Sequence, residues 1–280
     1  MIKLTLIQTS QNRRYELERF LFSLEKQKNV QLCELQYIFV DQGNNADLFG
    51  NINKEIDFYY IKTNYCSLSH ARNIALPHVK GKYVCFPDDD CWYEDNTIYN
   101  VLSFLEVHNE YQGVSGIGYN ENGVLTHVFP SQSSIITKEN RCAAISYTMF
   151  FKYESSIKFD EYLGVGSPLK LGAGEETDYM LQLIEKFDYH FYYNIDIIVH
   201  HPASSDYEDK NKLLEKRYLY SRGAGYLMRK HKFSIRYYFR SFYRPFGALI
   251  LYFFSGDKYK SYNYYLVLKG LLEGFFTKIH

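Results

Sequence analysis

Through the first two hundred positions, apolar residues fall in short blocks separated by polar turns. Residues 2–8 (IKLTLIQ), 35–40 (LQYIFV), 57–62 (DFYYIK) and 83–86 (YVCF) are apolar runs of strand length. Between the first two runs, Leu17, Phe20, Leu21 and Leu24 recur at three- and four-residue spacing and predict an amphipathic helix over 14–28. Ala71, Ile74 and Ala75 place another helix before the fourth run, and Gly43-Asn44-Asn45 is a turn after the second. This alternation predicts an α/β layered fold with a largely parallel sheet. Residues 112–155 predict further strands and loops. The glycine-rich stretch LGVGSPLKLGAGEE then leads into a helix carrying Tyr179, Leu181, Leu183 and Ile184, and IDIIVHHP (195–202) is the last strand. Beyond about residue 205 the pattern is helical, which divides the chain into an α/β domain over 1–204 and a helical region over 205–280.

In parallel sheets, ligands bind beyond the carboxyl ends of the strands. Asp41 and Asp88-Asp89-Asp90 both fall at such ends. Three consecutive carboxylates repel one another unless a positive charge lies among them. Hard cations such as Mg²⁺ or Mn²⁺ are held by oxygen ligands together with substrate phosphates, so the run is either a metal site or a solvated acidic loop. Gly174-Glu175-Glu176-Thr177-Asp178 opens a helix and is either ordinary first-turn capping or the place of a general base. His200-His201-Pro202 ends a strand, where a histidine completes a metal site, contacts phosphate or is merely structural. Cys66 and Ser69-His70 have no defined third partner, which disfavours a nucleophilic triad.

Composition adds a compartment and an asymmetry. The five cysteines, at 33, 66, 85, 91 and 142, include no Cys-x-x-Cys pair, so neither a disulfide framework nor a zinc site is expected. The apolar start of MIKLTLIQTSQNRR is too short for a signal peptide, and Phe246–Phe254 is about half of the ~20 residues a spanning helix needs. A cytoplasmic protein without a transmembrane segment follows. The net charge is zero, yet Tyr226–His280 holds ten Lys/Arg against two Asp/Glu, so +8 there balances −8 in residues 1–225. In that basic region Ile235, Phe239, Phe242 and Phe246 recur at helical spacing beside Arg236, Arg240 and Arg244, and Pro245 is expected to end or kink the helix. The pattern suits an interfacial helix on an anionic membrane, or a helix packed on the domain with a solvated basic face. No nucleic-acid-binding module is visible.

Taken in order, these segments resemble the family 2 glycosyltransferases, which have the GT-A fold. Ser10-Gln11-Asn12-Arg13 after the first strand resembles the family's Pro-Thr-Tyr-Asn-Arg, with Thr9 in place of proline and Gln11 in place of tyrosine. Phe39-Val40-Asp41-Gln42-Gly43 resembles Val-Val-Asp-Asp-Gly, Ala71-Arg72-Asn73 matches the Ala-Arg-Asn near the donor, and Gly81–Asp90 matches the stretch ending in the DXD motif. Phe159-Asp160-Glu161 with Gly174–Asp178 is similar to the acceptor segment ending in Glu-Asp, with Glu176 at the usual aspartate. The resemblance implies a non-processive, inverting, metal-dependent transferase, because the only tryptophan, Trp92, cannot supply the Gln-x-x-Arg-Trp of processive members. It implies a nucleotide-sugar site at Thr9, Ser10, Asn12, Arg13, Asp41, Arg72, Asn73, Asp88 and Asp89, with a UDP-sugar favoured. It implies Mg²⁺ or Mn²⁺ on Asp88, Asp90 and His201 (His200 less securely), and Glu176 or Asp178 as base. A lipid-linked or surface-polysaccharide acceptor would place the enzyme peripherally on the inner face of the cell membrane. The rival expectations are a sugar-nucleotide nucleotidyltransferase, disfavoured by the absence of glycine in residues 8–14, and a non-catalytic sugar- or membrane-binding protein.

Overall fold

The structure, a computed structural model, describes residues 1–140, 144–202 and 209–279. Cys142 and the expected domain boundary at 204/205 lie outside the described residues. The chain forms two compact units: Met1–Cys66, His70–Lys158 and Gln182–Asp206 in one, Ser67–Ser69, Phe159–Leu181 and Tyr207–His280 in the other.

The first unit is built on one mixed sheet. Strands β1 (Leu4–Ser10), β2 (Leu35–Asp41), β3 (Asp57–Lys62) and β4 (Tyr83–Cys85) are mutually parallel in the order β3-β2-β1-β4. The sheet continues through β8 (Met149–Lys152), β6 (Gly113–Tyr119), β9 (Phe191–His200) and the two-residue β5 (Trp92–Tyr93), while β7 (Ser134–Ile136) pairs with β9. β8 is antiparallel to both β4 and β6, so β6 and its parallel neighbour β9 run in the direction of β1–β4. The result is the mixed, mostly parallel sheet expected for GT-A. Helices α1 (Arg14–Glu25) and α3 (Thr97–Val107) lie in this unit, and α2 (Leu68–Ala75) begins after the β3 loop. Every residue of β2 is buried, as a strand covered on both faces requires. Phe20 of α1 packs on Tyr37 and Tyr93, each 5.6 Å away between ring centroids.

The second unit is helical: the start of α4 (Glu175–Phe187), then α5 (Lys210–Lys230), α6 (Ile235–Phe254) and α7 (Lys258–Phe276). α5 and α7 touch backbone to backbone. A Cβ on Gly274 would stand 1.9 Å from the Arg222 carbonyl oxygen, and one on Gly225 would stand 2.1 Å from that of Leu271. Only glycine permits this approach.

Three boundaries differ from expectation. β1 runs on to Ser10, because its last residues pair with Val40 and Asp41 of β2, and this carries Ser10 to the carboxyl edge of the parallel strands. β9 begins at Phe191 instead of 195: its first residues pair with β6 and β7, and the β6 register then shifts between Ser115 and Ile117, breaking the alternation that marks a strand. α6 passes through Pro245, a buried residue, so the proline removes one backbone hydrogen bond without ending the helix. Among the described residues, no helix is long and apolar enough to cross a membrane.

Candidate functional site

Strand β4 pairs with β1 only as far as Cys85 against Leu6, and β1 runs four residues further to Ser10, which lies beside the acidic run that follows β4. A buried relay fixes that run. The Tyr37 hydroxyl donates to Oε1 of Gln8 at 2.6 Å, and Nε2 of Gln8 donates to the Asp88 carbonyl at 2.9 Å. On the other side, Arg19 of α1 donates to the Asp90 carbonyl at 2.8 Å while its guanidinium lies 3.6 Å over the Trp92 ring.

The three carboxylates then part. Asp89 accepts from the Ser10 hydroxyl at 2.6 Å and faces the Arg13 guanidinium at 3.6 Å; burial nevertheless pushes its pKa up to about 6. Asp90 meets both Arg13, through a short charge-assisted hydrogen bond, and Nε2 of His201 at 2.9 Å. Burial raises the Asp90 pKa, but His201 and Arg13 more than offset this and leave it below the ordinary value. Asp88 lies 3.4 Å from the buried Arg72 guanidinium and 3.7 Å from His201; burial dominates there and its pKa is raised. Arg72 is held by donation to the Ser146 hydroxyl at 2.6 Å.

His201 completes the group. Its ring stacks on Tyr147 at 4.5 Å, and its Nδ1 donates to the Pro202 carbonyl at 2.7 Å, which turns Nε2 toward the carboxylates. Burial lowers its pKa, yet the hydrogen bond and charge of Asp90 and the charge of Asp88 raise it overall. One ligand atom each from Asp88, Asp90 and His201 lies within 4.8 Å of the others. Two carboxylates and an imidazole oriented through its second nitrogen suit Mg²⁺ or Mn²⁺. His200 points elsewhere: its ring stacks on Trp92 at 5.1 Å and Nε2 reaches Glu94 at 3.1 Å.

Asp41, at the end of β2, is fully buried. Its carboxylate accepts from the backbone N–H of Gly43 (2.8 Å) and Asn45 (2.9 Å), from the Asn45 amide (2.8 Å) and from the Tyr60 hydroxyl (2.7 Å). Burial raises its pKa, but these hydrogen bonds outweigh it and lower the pKa overall. Asp41 thus shapes the loop after β2, and Gly43 lets that loop close on the one after β1. A Cβ at Gly43 would fall 1.3 Å from the Gln11 carbonyl oxygen. Gly43→Ala is therefore expected to cost about 1–3 kcal/mol, as overpacked sites do, read as a lowered urea midpoint with an unchanged slope. Beside this loop Asn12 is exposed, whereas Thr9 on β1 and Asn73 on α2 are half-buried.

In the second unit, the first turn of α4 carries Glu175, Glu176 and Asp178. Asp178 is fully buried and meets Nε2 of His231 and Nζ of Lys230, each at 2.8 Å. Burial opposes its charge, yet these two groups leave its pKa lowered. Lys230 also pairs with Asp160 at 2.6 Å. Glu176 is half-buried.

The structure therefore gathers Ser10, Arg13, Arg72, Asp88, Asp89, Asp90 and His201 at one edge. Gln8, Arg19, Tyr147 and Ser146, which sequence reasoning did not single out, hold them there. Gln8 did carry a signal: an amide inside the apolar run IKLTLIQ needs a buried partner.

A sequence model described as "Glycosyl transferase family 2" matches residues 5–162. A curated relative, the UDP-Glc:alpha-D-GlcNAc-diphosphoundecaprenol beta-1,3-glucosyltransferase WfaP of Escherichia coli, is 33% identical over 104 residues, covering 36% of this chain and 41% of that protein. Solved structures share the fold. S. aureus TarS residues 1–349, in one structure complexed with UDP, superposes with a TM-score of 0.59 at 16% identity, covering 98% of this chain and 92% of that one. The mannosyltransferase PcManGT from Pyrobaculum calidifontis, in complex with GDP-Man and Mn²⁺, gives 0.67 at 13% identity, over 98% and 87%.

Proposed function

We propose that this chain, which belongs to glycosyl transferase family 2, moves one sugar from a UDP-sugar to a hydroxyl of a lipid-linked or growing surface-polysaccharide acceptor. The observation that carries the proposal is the convergence of Asp88, Asp90 and His201 beside Arg13 and Arg72 at the carboxyl ends of β1 and β4. The choice of donor and acceptor is supported by the E. coli relative, whose name gives UDP-Glc and alpha-D-GlcNAc-diphosphoundecaprenol.

Asp88, Asp90 and His201 would hold Mg²⁺ or Mn²⁺, which supplies charge neutralisation of the departing diphosphate. The chain's own groups do the rest. Arg13 and Arg72 are cations already at the acidic run, available to the diphosphate oxygens once the carboxylates have another counter-charge. Ser10 holds Asp89, and the Asp41-shaped loop, with Asn12 and Thr9, would receive the nucleoside. Glu176 would take the proton from the acceptor hydroxyl as that oxygen attacks the anomeric carbon, inverting it. Asp178, committed to Lys230 and His231, would secure the helix start that carries Glu176. Such an acceptor would place the enzyme peripherally at the inner face of the cell membrane.

A thermal-shift screen of UDP-, GDP- and dTDP-sugars tests this. A UDP-sugar with Mn²⁺ at a hundred times its Kd is expected to stabilise the chain by about 2.7 kcal/mol, a rise of several degrees in Tm that chelator removes. An equal rise without metal, or a response to GDP-sugars alone, would overturn the corresponding assignment.

A further inference from the structure

We infer that the outward face of α6 is a docking surface for the leaflet of an anionic membrane, with lipid chains on an apolar groove and lipid phosphates on an arginine row. The inference deepens the proposed function by naming where the lipid is met, and rests on that reading only for its purpose.

The residues themselves point there. Along α6, Ile235 is 80% exposed, Phe239 68%, Phe246 53% and Phe253 69%. These side chains fall on one side of the helix, at spacings of four, seven and seven. Core packing does not account for them, because α6 already buries another side. Pro245 is buried, Tyr252 stacks on Tyr264 of α7 at 5.7 Å, and the Tyr238 hydroxyl donates to the Met228 carbonyl at 2.7 Å. Between Phe239, Phe242, Tyr243 and Phe246 of α6 and Leu268 and Leu272 of α7 lies an open, mainly apolar groove of about 630 Å³. Its size and apolarity suit hydrocarbon chains.

Charge selects the occupant. Arg236, Arg240 and Arg244 are exposed and recur every four residues, a row that starts beside the apolar side and winds about 40° further from it at each step, and α6 contains no acidic residue. Tyr243, at 62% exposure, places an aromatic hydroxyl at the edge of the apolar side, the position tyrosine takes at a membrane interface. An apolar strip with a cationic edge lies in the plane of a bilayer, its apolar side about 5–10 Å deep and its arginines at the phosphates. A second copy of the chain docked through this face would bring two arginine rows together with no acid on α6 to offset them, so the lipid surface is the better partner.

Flotation of the full chain, without donor or acceptor, tests the inference on vesicles of phosphatidylcholine alone and of phosphatidylcholine with phosphatidylglycerol. The wild type is expected to float with the anionic vesicles and to be released by raised salt. Arg240→Gln with Arg244→Gln is expected to weaken partitioning about fivefold for each charge removed. Phe239→Ser with Phe246→Ser, both exposed and harmless to the fold, is expected to abolish flotation while leaving Tm unchanged. The inference is overturned if the wild type stays in the soluble fraction, if it floats equally on neutral vesicles, or if either pair of substitutions leaves flotation unchanged. It is overturned as well if sedimentation shows a dimer that Phe239→Ser dissociates and that does not float. Each of these results would leave the transferase proposal standing, since no sugar transfer enters the measurement.

Discussion

Replacing Asp90 with alanine is expected to lower kcat/KM for sugar transfer by about 10²–10³-fold or more, the loss that follows removal of one fixed electrostatic group at a developing charge. Asp90 is the junction of the site: it meets Arg13 and His201 through its side chain and Arg19 through its carbonyl. Only the side-chain partners are lost in the variant. Arg13, at 43% side-chain exposure, keeps water and Asp89, and His201 is free to shed its proton. The stability cost is therefore expected at about 1–3 kcal/mol, well short of unfolding. The Mn²⁺-dependent part of the thermal shift should vanish with the activity. Wild-type transfer by this variant, or transfer by the wild type in chelator, would remove the metal from the mechanism.

Substituting Glu176 by glutamine is expected to cost about 10²–10⁴-fold in kcat while sparing the donor-dependent thermal shift, because general-base catalysis is lost and donor binding is not. The companion substitution separates the two carboxylates of the motif. Asp178→Ala leaves Lys230 and His231 without their shared buried partner, so its expected effect is a loss of about 3–5 kcal/mol in denaturant unfolding. If Glu176→Gln keeps full activity while a folded Asp178→Ala has none, the base is Asp178.

Much of the fold was legible because its signals are local. Strand-length apolar runs, helical spacing in α1 and the turn at Gly43 each follow from the geometry of a few consecutive residues. That Asp88–Asp90 lie beyond the carboxyl end of a parallel strand was likewise legible, since the run follows an apolar stretch of strand length. What escaped was pairing across long separations. Gln8 signalled at most that it needs a buried partner; its relay from Tyr37 to the Asp88 carbonyl exists only because β2, β1 and β4 are neighbours. Asp178 looked like first-turn capping or a base, and its partners Lys230 and His231 come from the last residue of α5 and the residue after it, fifty-three positions on in the case of His231. The exposed side of α6 was equally hidden, since periodicity marks an apolar stripe without saying whether protein or solvent covers it.

The amino-acid sequence alone determined that this chain is an α/β protein with an acidic run at a strand end and a basic, aromatic helical tail. Only the tertiary structure decided that His201, and not His200, joins that run. The device is small: β5 follows the acidic run at once and pairs Trp92 with His200 of β9, so the last position of the strand turns away and the next turns in. A two-residue strand has no periodicity to detect, and its register is set by hydrogen bonds to a segment more than a hundred residues distant.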